Sequence, residues 1–203
     1  AGAYFRVLNF DSESYGEEIQ PMIDDALKLE LPSSDNILTM AQTGVTAMSR
    51  GMNEKLSKVG EANYFAENIK DYLSNFDITH TSNESSFSTQ ANADNICSDE
   101  RFKTVLQAIS LDVVEMTGNH NQDCGNQAAL DTIQYYDEVG IKKVGGGRNA
   151  EEAAIPLELS DKGTNITFLA YNLSTGGATT GDTPGANQYE EEKVRTDIAK
   201  AKE

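Results

Sequence analysis

Asp112-Val113-Val114-Glu115-Met116-Thr117-Gly118-Asn119-His120-Asn121-Gln122-Asp123 is the stretch whose reading decides the fold. Its first five residues form a short, largely apolar run rich in β-branched side chains, the pattern of a buried strand. Thr117-Gly118 interrupts that run, and glycine lets the backbone turn sharply where a strand ends. Helical spacing resumes over residues 126–139 and stops at Gly140, in the usual place of a C-terminal helix glycine. Between strand and helix lie Asn119 and His120. An amide oxygen can ligate a hard cation, and an imidazole can ligate a metal or donate a proton. As a plain strand-to-helix turn, the same segment would need only Asn121 or Asp123 to cap the next helix.

Working outward, the same alternation recurs. Ile37 to Ala41 reads as a strand that runs into Thr43-Gly44-Val45-Thr46. Ala62, Phe65, Ala66, Ile69, Tyr72 and Leu73 share one stripe and predict a helix over 61–74. Asp77 to His80 reads as a second strand, followed by a polar loop reaching about Asn95, a length that favours a functional loop. A helix follows from Ser98, with Phe102, Val105, Leu106 and Ile109 on its apolar face. Ile141 to Val144 reads as a strand closed by Gly145-Gly146-Gly147, residues 164–171 as a further strand, 176–185 as a turn-rich loop and 189–203 as a charged helix. Alternating strands and helices predict an α/β fold, a mainly parallel sheet flanked by helices. Such sheets bind ligands beyond the carboxyl ends of their strands. Three polar stretches fall there, 42–50, 79–85 and 117–125, and they meet at one site if their strands are neighbours. Residues 1–35 read as a lead-in helix or linker, set off by the break at Pro32-Ser33-Ser34-Asp35-Asn36, and the domain as 36–203.

Composition narrows the function. Of 203 residues 38% are apolar, enough for a core under a very polar surface. With 33 acidic and 16 basic residues the net charge is −17, which repels phosphate backbones and anionic lipid. Nucleic acid is therefore not an expected partner. No stretch approaches the roughly 20 apolar residues of a membrane span, so direct insertion is not expected of this chain. Cys97 and Cys124, the only cysteines, are either bonded or free on sequence grounds. Gly145-Gly146-Gly147-Arg148 lacks the Gly-Lys-Ser/Thr of a phosphate loop and reads as a tight turn.

From Leu111 to Asn172 the order of motifs resembles the CapA family of poly-γ-glutamate capsule biosynthesis proteins, within the metallophosphatase-like superfamily. The resemblance is carried by Asn119, His120, Asp123 and Gly125, then Leu130 and Thr132, Gly140-Ile141, Gly145, Gly147 and Asn149, Glu151, Ala153 and Pro156, and Phe168-Leu169. More weakly it extends over 37–203. It implies a layered metallophosphatase-like sandwich, incomplete here at its C-terminus, because the family carries further histidine motifs and this chain has two histidines in all. The chain is accordingly expected to be the N-terminal portion of a longer protein, its C-terminal half a missing partner. The family resemblance implies a divalent metal held by Asn119, Glu84 and His120, with His120 and Arg50 as catalytic groups and Asp123 and His80 near the substrate. Val45 departs from the pattern: it stands where the family usually has a metal-bridging aspartate, in a Thr-Gly-Val-Thr variant. Two functions follow. One is a metal-dependent phosphoesterase when full length, acting on an anionic polymer or a phosphorylated small molecule at the cell surface or outside it; the other is a non-catalytic polymer-binding or scaffold protein whose metal site has degenerated.

Overall fold

Residues 37–203 are described by the computed structural model, so the reading of 1–35 lies outside the described residues. Four strands, β1 (Met40–Val45), β2 (Ile78–Ser82), β3 (Val113–Glu115) and β4 (Lys142–Val144), form one parallel sheet in the order β1-β2-β3-β4. Sequence order equals spatial order, so each crossover only has to carry the chain back to start the adjacent strand.

The crossovers hold α1 (Gly51–Val59), a 3₁₀ turn (Ala62–Phe65) and α2 (Lys70–Leu73) between β1 and β2. A second 3₁₀ turn (Glu100–Phe102) and α3 (Lys103–Ala108) precede β3, and α4 (Gly125–Val139) joins β3 to β4. Their apolar faces make the larger core, in which Leu56, Phe102, Leu106, Ile133 and Tyr136 meet Val114 and Met116 of the β3 region. Gly140, at φ 80°, ends α4 in the left-handed conformation expected of it. The stripe over 61–74 does not make one helix. Ile69 is 40% exposed, and the chain instead forms the 3₁₀ turn and the four-residue α2 around a turn at residues 66–69.

After β4 the short strand β5 (Gly146–Gly147) and α5 (Ala150–Ala153) lead into an antiparallel hairpin, β6 (Leu157–Asp161) and β7 (Thr164–Phe168). Its two central residues, Lys162 at φ 47° and Gly163 at φ 73°, both have positive φ, as the favoured two-residue hairpin turn requires. The hairpin covers the sheet face opposite the helices, where Ile78, Val113 and Val144 pack with Leu157, Leu159, Ile166 and Phe168. Gly185–Ala186, as β8, pairs with β5, and α6 (Glu191–Lys200) ends the described chain. The layered α/β expectation is met: helices, parallel sheet, antiparallel hairpin.

Asp77 secures the end of the sheet remote from the loops described below. It accepts hydrogen bonds from the amide and hydroxyl of Thr39, each at 2.8 Å, and pairs with Lys162 of the hairpin turn at 2.6 Å. Lys162, followed by the Thr39 amide, holds its pKa at about 2, below the ordinary 3.8. A carboxylate whose folded pKa is depressed stabilises the fold above its unfolded value and loses that contribution as pH falls through the folded one. We predict that Asp77→Asn lowers the urea midpoint clearly at about pH 6 and by much less near pH 2. An equal loss at both pH values would show that the ionised carboxylate is not what ties these elements together.

Candidate functional site

Parallel pairing sets the site. Val45 is opposite Ser82, Ser82 opposite Glu115, and Glu115 opposite Val144, so the chain leaves all four strands at one edge. The ladder continues past the strands. Thr46 N donates to Ser82 O at 2.7 Å, Asn83 N to Glu115 O at 2.9 Å and Met116 N to Val144 O at 2.9 Å. Ser85 and His120 then form an isolated parallel bridge. The three polar stretches singled out in the sequence therefore lie at adjoining strand ends.

Contact between the second and third is very close. A Cβ on Gly118 would stand 2.5 Å from Glu84 Cα and 2.9 Å from Glu84 O, so only glycine permits this approach. Glu84 is thereby brought beside the Asn119-His120 turn. His120 Nδ1 is 2.7 Å from Asp123 Oδ2, and the two side chains are 28% and 38% exposed. Asp123 thus orients the imidazole rather than capping α4, whose first residue follows Cys124 with no side-chain cap. Asn121 turns inward, its amide donating to Met116 O at 2.7 Å. Among the described residues the side-chain amide of Asn119 makes no hydrogen bond, which leaves it available to a ligand.

Beneath these turns lies a buried polar layer. Ser85 and Ser98 hydroxyls meet at 2.7 Å, Ser86 donates to Asn121 O at 2.5 Å, and Phe87 N donates to Thr132 Oγ1 at 2.8 Å. Asn83 donates to the Tyr136 hydroxyl at 2.5 Å, and burial pushes that phenol well above its usual range. Asn53 of α1 fixes the long loop. Its amide donates to Asn92 O and Cys97 O, both at 2.8 Å, and its oxygen accepts from Asp99 N at 3.2 Å. Cys97 and Cys124 form a disulfide with Cα atoms 5.9 Å apart, joining that loop to the residue after Asp123.

Two other sequence candidates make no hydrogen bond to the Asn119-His120 turn among the described residues. His80, in β2, stacks on Phe168 of the hairpin with ring centroids 5.7 Å apart. Burial lowers its pKa, with the charge of Glu115 opposing, and no hydrogen bond joins it to the Asn119-His120 turn. Arg50 precedes α1, exposed and at φ 52°, a conformation uncommon outside glycine. No ion pair or hydrogen bond links its side chain to Glu84, Asn119 or His120 among the described residues. Val45, where the family resemblance implied a bridging carboxylate, is 64% exposed at the strand tip.

A fourth segment escaped the sequence reading. The loop around Gly176-Gly177 lies against the same turn: a Cβ on Gly177 would stand 2.7 Å from Gly118 O and 2.8 Å from Asn119 O, and Gln122 donates to Pro184 O. Gly177 has φ 70°. The glycine pair was visible in the sequence, but nothing local indicated which turn it would press on.

Among the described residues no group of three or more His, Cys, Asp or Glu could hold a metal ion, and Val45 offers no donor.

Residues 39–203 match the family described as Bacterial capsule synthesis protein PGA_cap. Among curated proteins the chain is similar to Capsule biosynthesis protein CapA of Bacillus anthracis, 24% identical over 177 residues, covering 82% of this chain and 43% of that protein. The chain thus spans less than half the length of that relative.

The close approach of the turns can be tested at Gly118. We predict that Gly118→Ala costs about 1–3 kcal/mol, because the obstructing atoms are backbone and cannot move aside cheaply. Gly51→Ala, at a position with nothing within 4 Å of the added Cβ, should be near neutral. Equal denaturation midpoints for the two variants would refute the contact.

Proposed function

The chain belongs to the bacterial capsule synthesis protein family, and from that premise we propose that it serves the making or export of a capsule polymer, with poly-γ-glutamate the polymer implied by the resemblance to CapA. In this reading the tip of the sheet holds an anionic group of that polymer or of a phosphorylated small molecule. The observation that carries it is His120, held by Asp123 on one ring nitrogen with the other left for a ligand, beside the unengaged Asn119 amide. A histidine positioned in this way, once protonated, donates a charge-assisted hydrogen bond to a carboxylate or phosphate oxygen. The Cys97–Cys124 disulfide supports a place at the cell surface or outside the cell, since such bonds persist in oxidising compartments.

Binding is the reading the donor set favours. Val45 stands where the resemblance implies a bridging carboxylate and offers no donor, so the reading rests on His120 and Asn119 themselves. The Asp123–His120 pair supports a second reading, in which the whole protein uses His120 as a general acid on a phosphoester.

Titrating the intact protein with poly-γ-glutamate oligomers tests the first reading. His120→Ala should weaken binding by roughly 10- to 100-fold, the worth of a charged hydrogen bond. Affinity should also rise with added salt, because a chain of net charge −17 repels an anionic polymer until the repulsion is screened. Unchanged affinity in His120→Ala would sink the binding reading. Phosphodiester turnover that disappears in the same variant would establish the second.

A further inference from the structure

The disulfide has an asymmetric position. On the Cys97 side the long loop is held without it: Asn53 fixes Asn92, Cys97 and Asp99, Ser88 N donates to Ser98 O at 2.8 Å, and Ser98 N donates to Ser86 O at 3.0 Å. On the Cys124 side the chain is a run of turns between β3 and α4. There the backbone of His120 bridges that of Ser85, and Asn121 and Gln122 have ties to Ser86 and Pro184. The side chains of His120 and Asp123 are hydrogen-bonded only to each other among the described residues. The nearest covalent restraint on that pair is the adjacent Cys124. Cys97 is 2% exposed, while Cys124 is only half-buried.

We propose that Cys97–Cys124 is a redox-set clasp on the three-turn site: with both thiols reduced the His120–Asp123 turn is released, and with the bond formed it is locked against the loop carrying Glu84 and Ser85. Closing the clasp forms one S–S bond and breaks the S–S bond of a disulfide oxidant of the thiol-exchange class; the two protons and two electrons lost by the Cys97 and Cys124 thiols pass to that oxidant, which leaves as its dithiol. The site is then completed only after the chain reaches an oxidising compartment. The inference rests on the proposed reading only in treating this turn as a binding site; its readout is backbone protection and needs no ligand.

The test compares the intact protein, oxidised and after treatment with a phosphine reductant, by thiol titration and amide hydrogen exchange. The oxidised protein should show no reactive thiol and the reduced protein two. Exchange over residues 117–125 should speed up by about tenfold or more on reduction, while peptides from β1, β2 and β3 change by less than about twofold. The double variant Cys97→Ser/Cys124→Ser should reproduce the reduced pattern. Unaltered exchange at 117–125, acceleration of all peptides together, or thiols titratable in the oxidised protein would each overturn the proposal. A loss of protection confined to 117–125 would stand even if poly-γ-glutamate proved not to bind, so the two readings fail separately.

Discussion

The parallel backbone ladder between β2 and β3, which reappears three residues past β2 and five past β3, is the constraint on which the site depends. Inside the sheet it pairs His80 with Val113 and Ser82 with Glu115; outside, it reappears as the Ser85–His120 bridge. Strand pairing alone would let the two chains diverge at the sheet edge, as loops ordinarily do. They stay together because residue 118 has no side chain, so its backbone lies directly on that of Glu84. One missing Cβ thus converts sheet register into a fixed juxtaposition of Glu84 with Asn119 and His120.

That juxtaposition was legible in part. The strands around Met40, Ile78, Val113 and Lys142 are short apolar runs ended by polar turns, and their parallel order follows from the helices between them. Asp112 to Asp123 signalled strand, turn and helix because each has a local cause. Three features were less visible. The α1 helix has only Met52, Leu56 and Val59 as apolar residues, and Leu56 alone of them is fully buried, so its pattern is too sparse for periodicity to reveal. The strand β6 alternates Leu157 and Leu159 before Lys162-Gly163, a sound hairpin signal, but its facing residues are only half-buried. Over 61–74 the core used most of the apolar stripe, burying Ala62, Ala66 and Leu73 with Phe65 and Tyr72 against them, but through a 3₁₀ turn and the short α2 rather than one helix, which left Ile69 outside.

The site itself was less legible than the fold. Asn119, His120 and Glu84 converge because they flank the close contact, and Asp123 joins them through a hydrogen bond that i,i+3 spacing allows but does not require. His80 and Arg50 were grouped with them by motif order, which says nothing about the direction a side chain takes. Residues on a strand alternate between faces, and His80 lies on the face covered by the hairpin, where Phe168 supplies a stacking partner. The Gly176-Gly177 contact depends on the return of the chain from β7, a long-range arrangement that no local pattern encodes.

The buried polar layer explains why the turns adopt one arrangement rather than many. An apolar layer between α4 and the turns would stabilise them through non-directional contacts and tolerate sliding by an ångström or more. Here the turns are held by directional bonds: Thr132 to the Phe87 amide, Ser86 to the Asn121 carbonyl, Ser85 to Ser98, and Tyr136 to Asn83. Each group left unpaired in that interior would cost about 1–3 kcal/mol, so a slip of the loop by one residue would orphan several at once. Two of the anchoring side chains, Thr132 and Tyr136, belong to α4, the helix that begins immediately after Cys124. With the Cys97–Cys124 bond formed, the position of His120 is therefore set from both sides, by the sheet ladder before the turn and, across the clasped residues up to Cys124, by a helix registered to the polar layer after it.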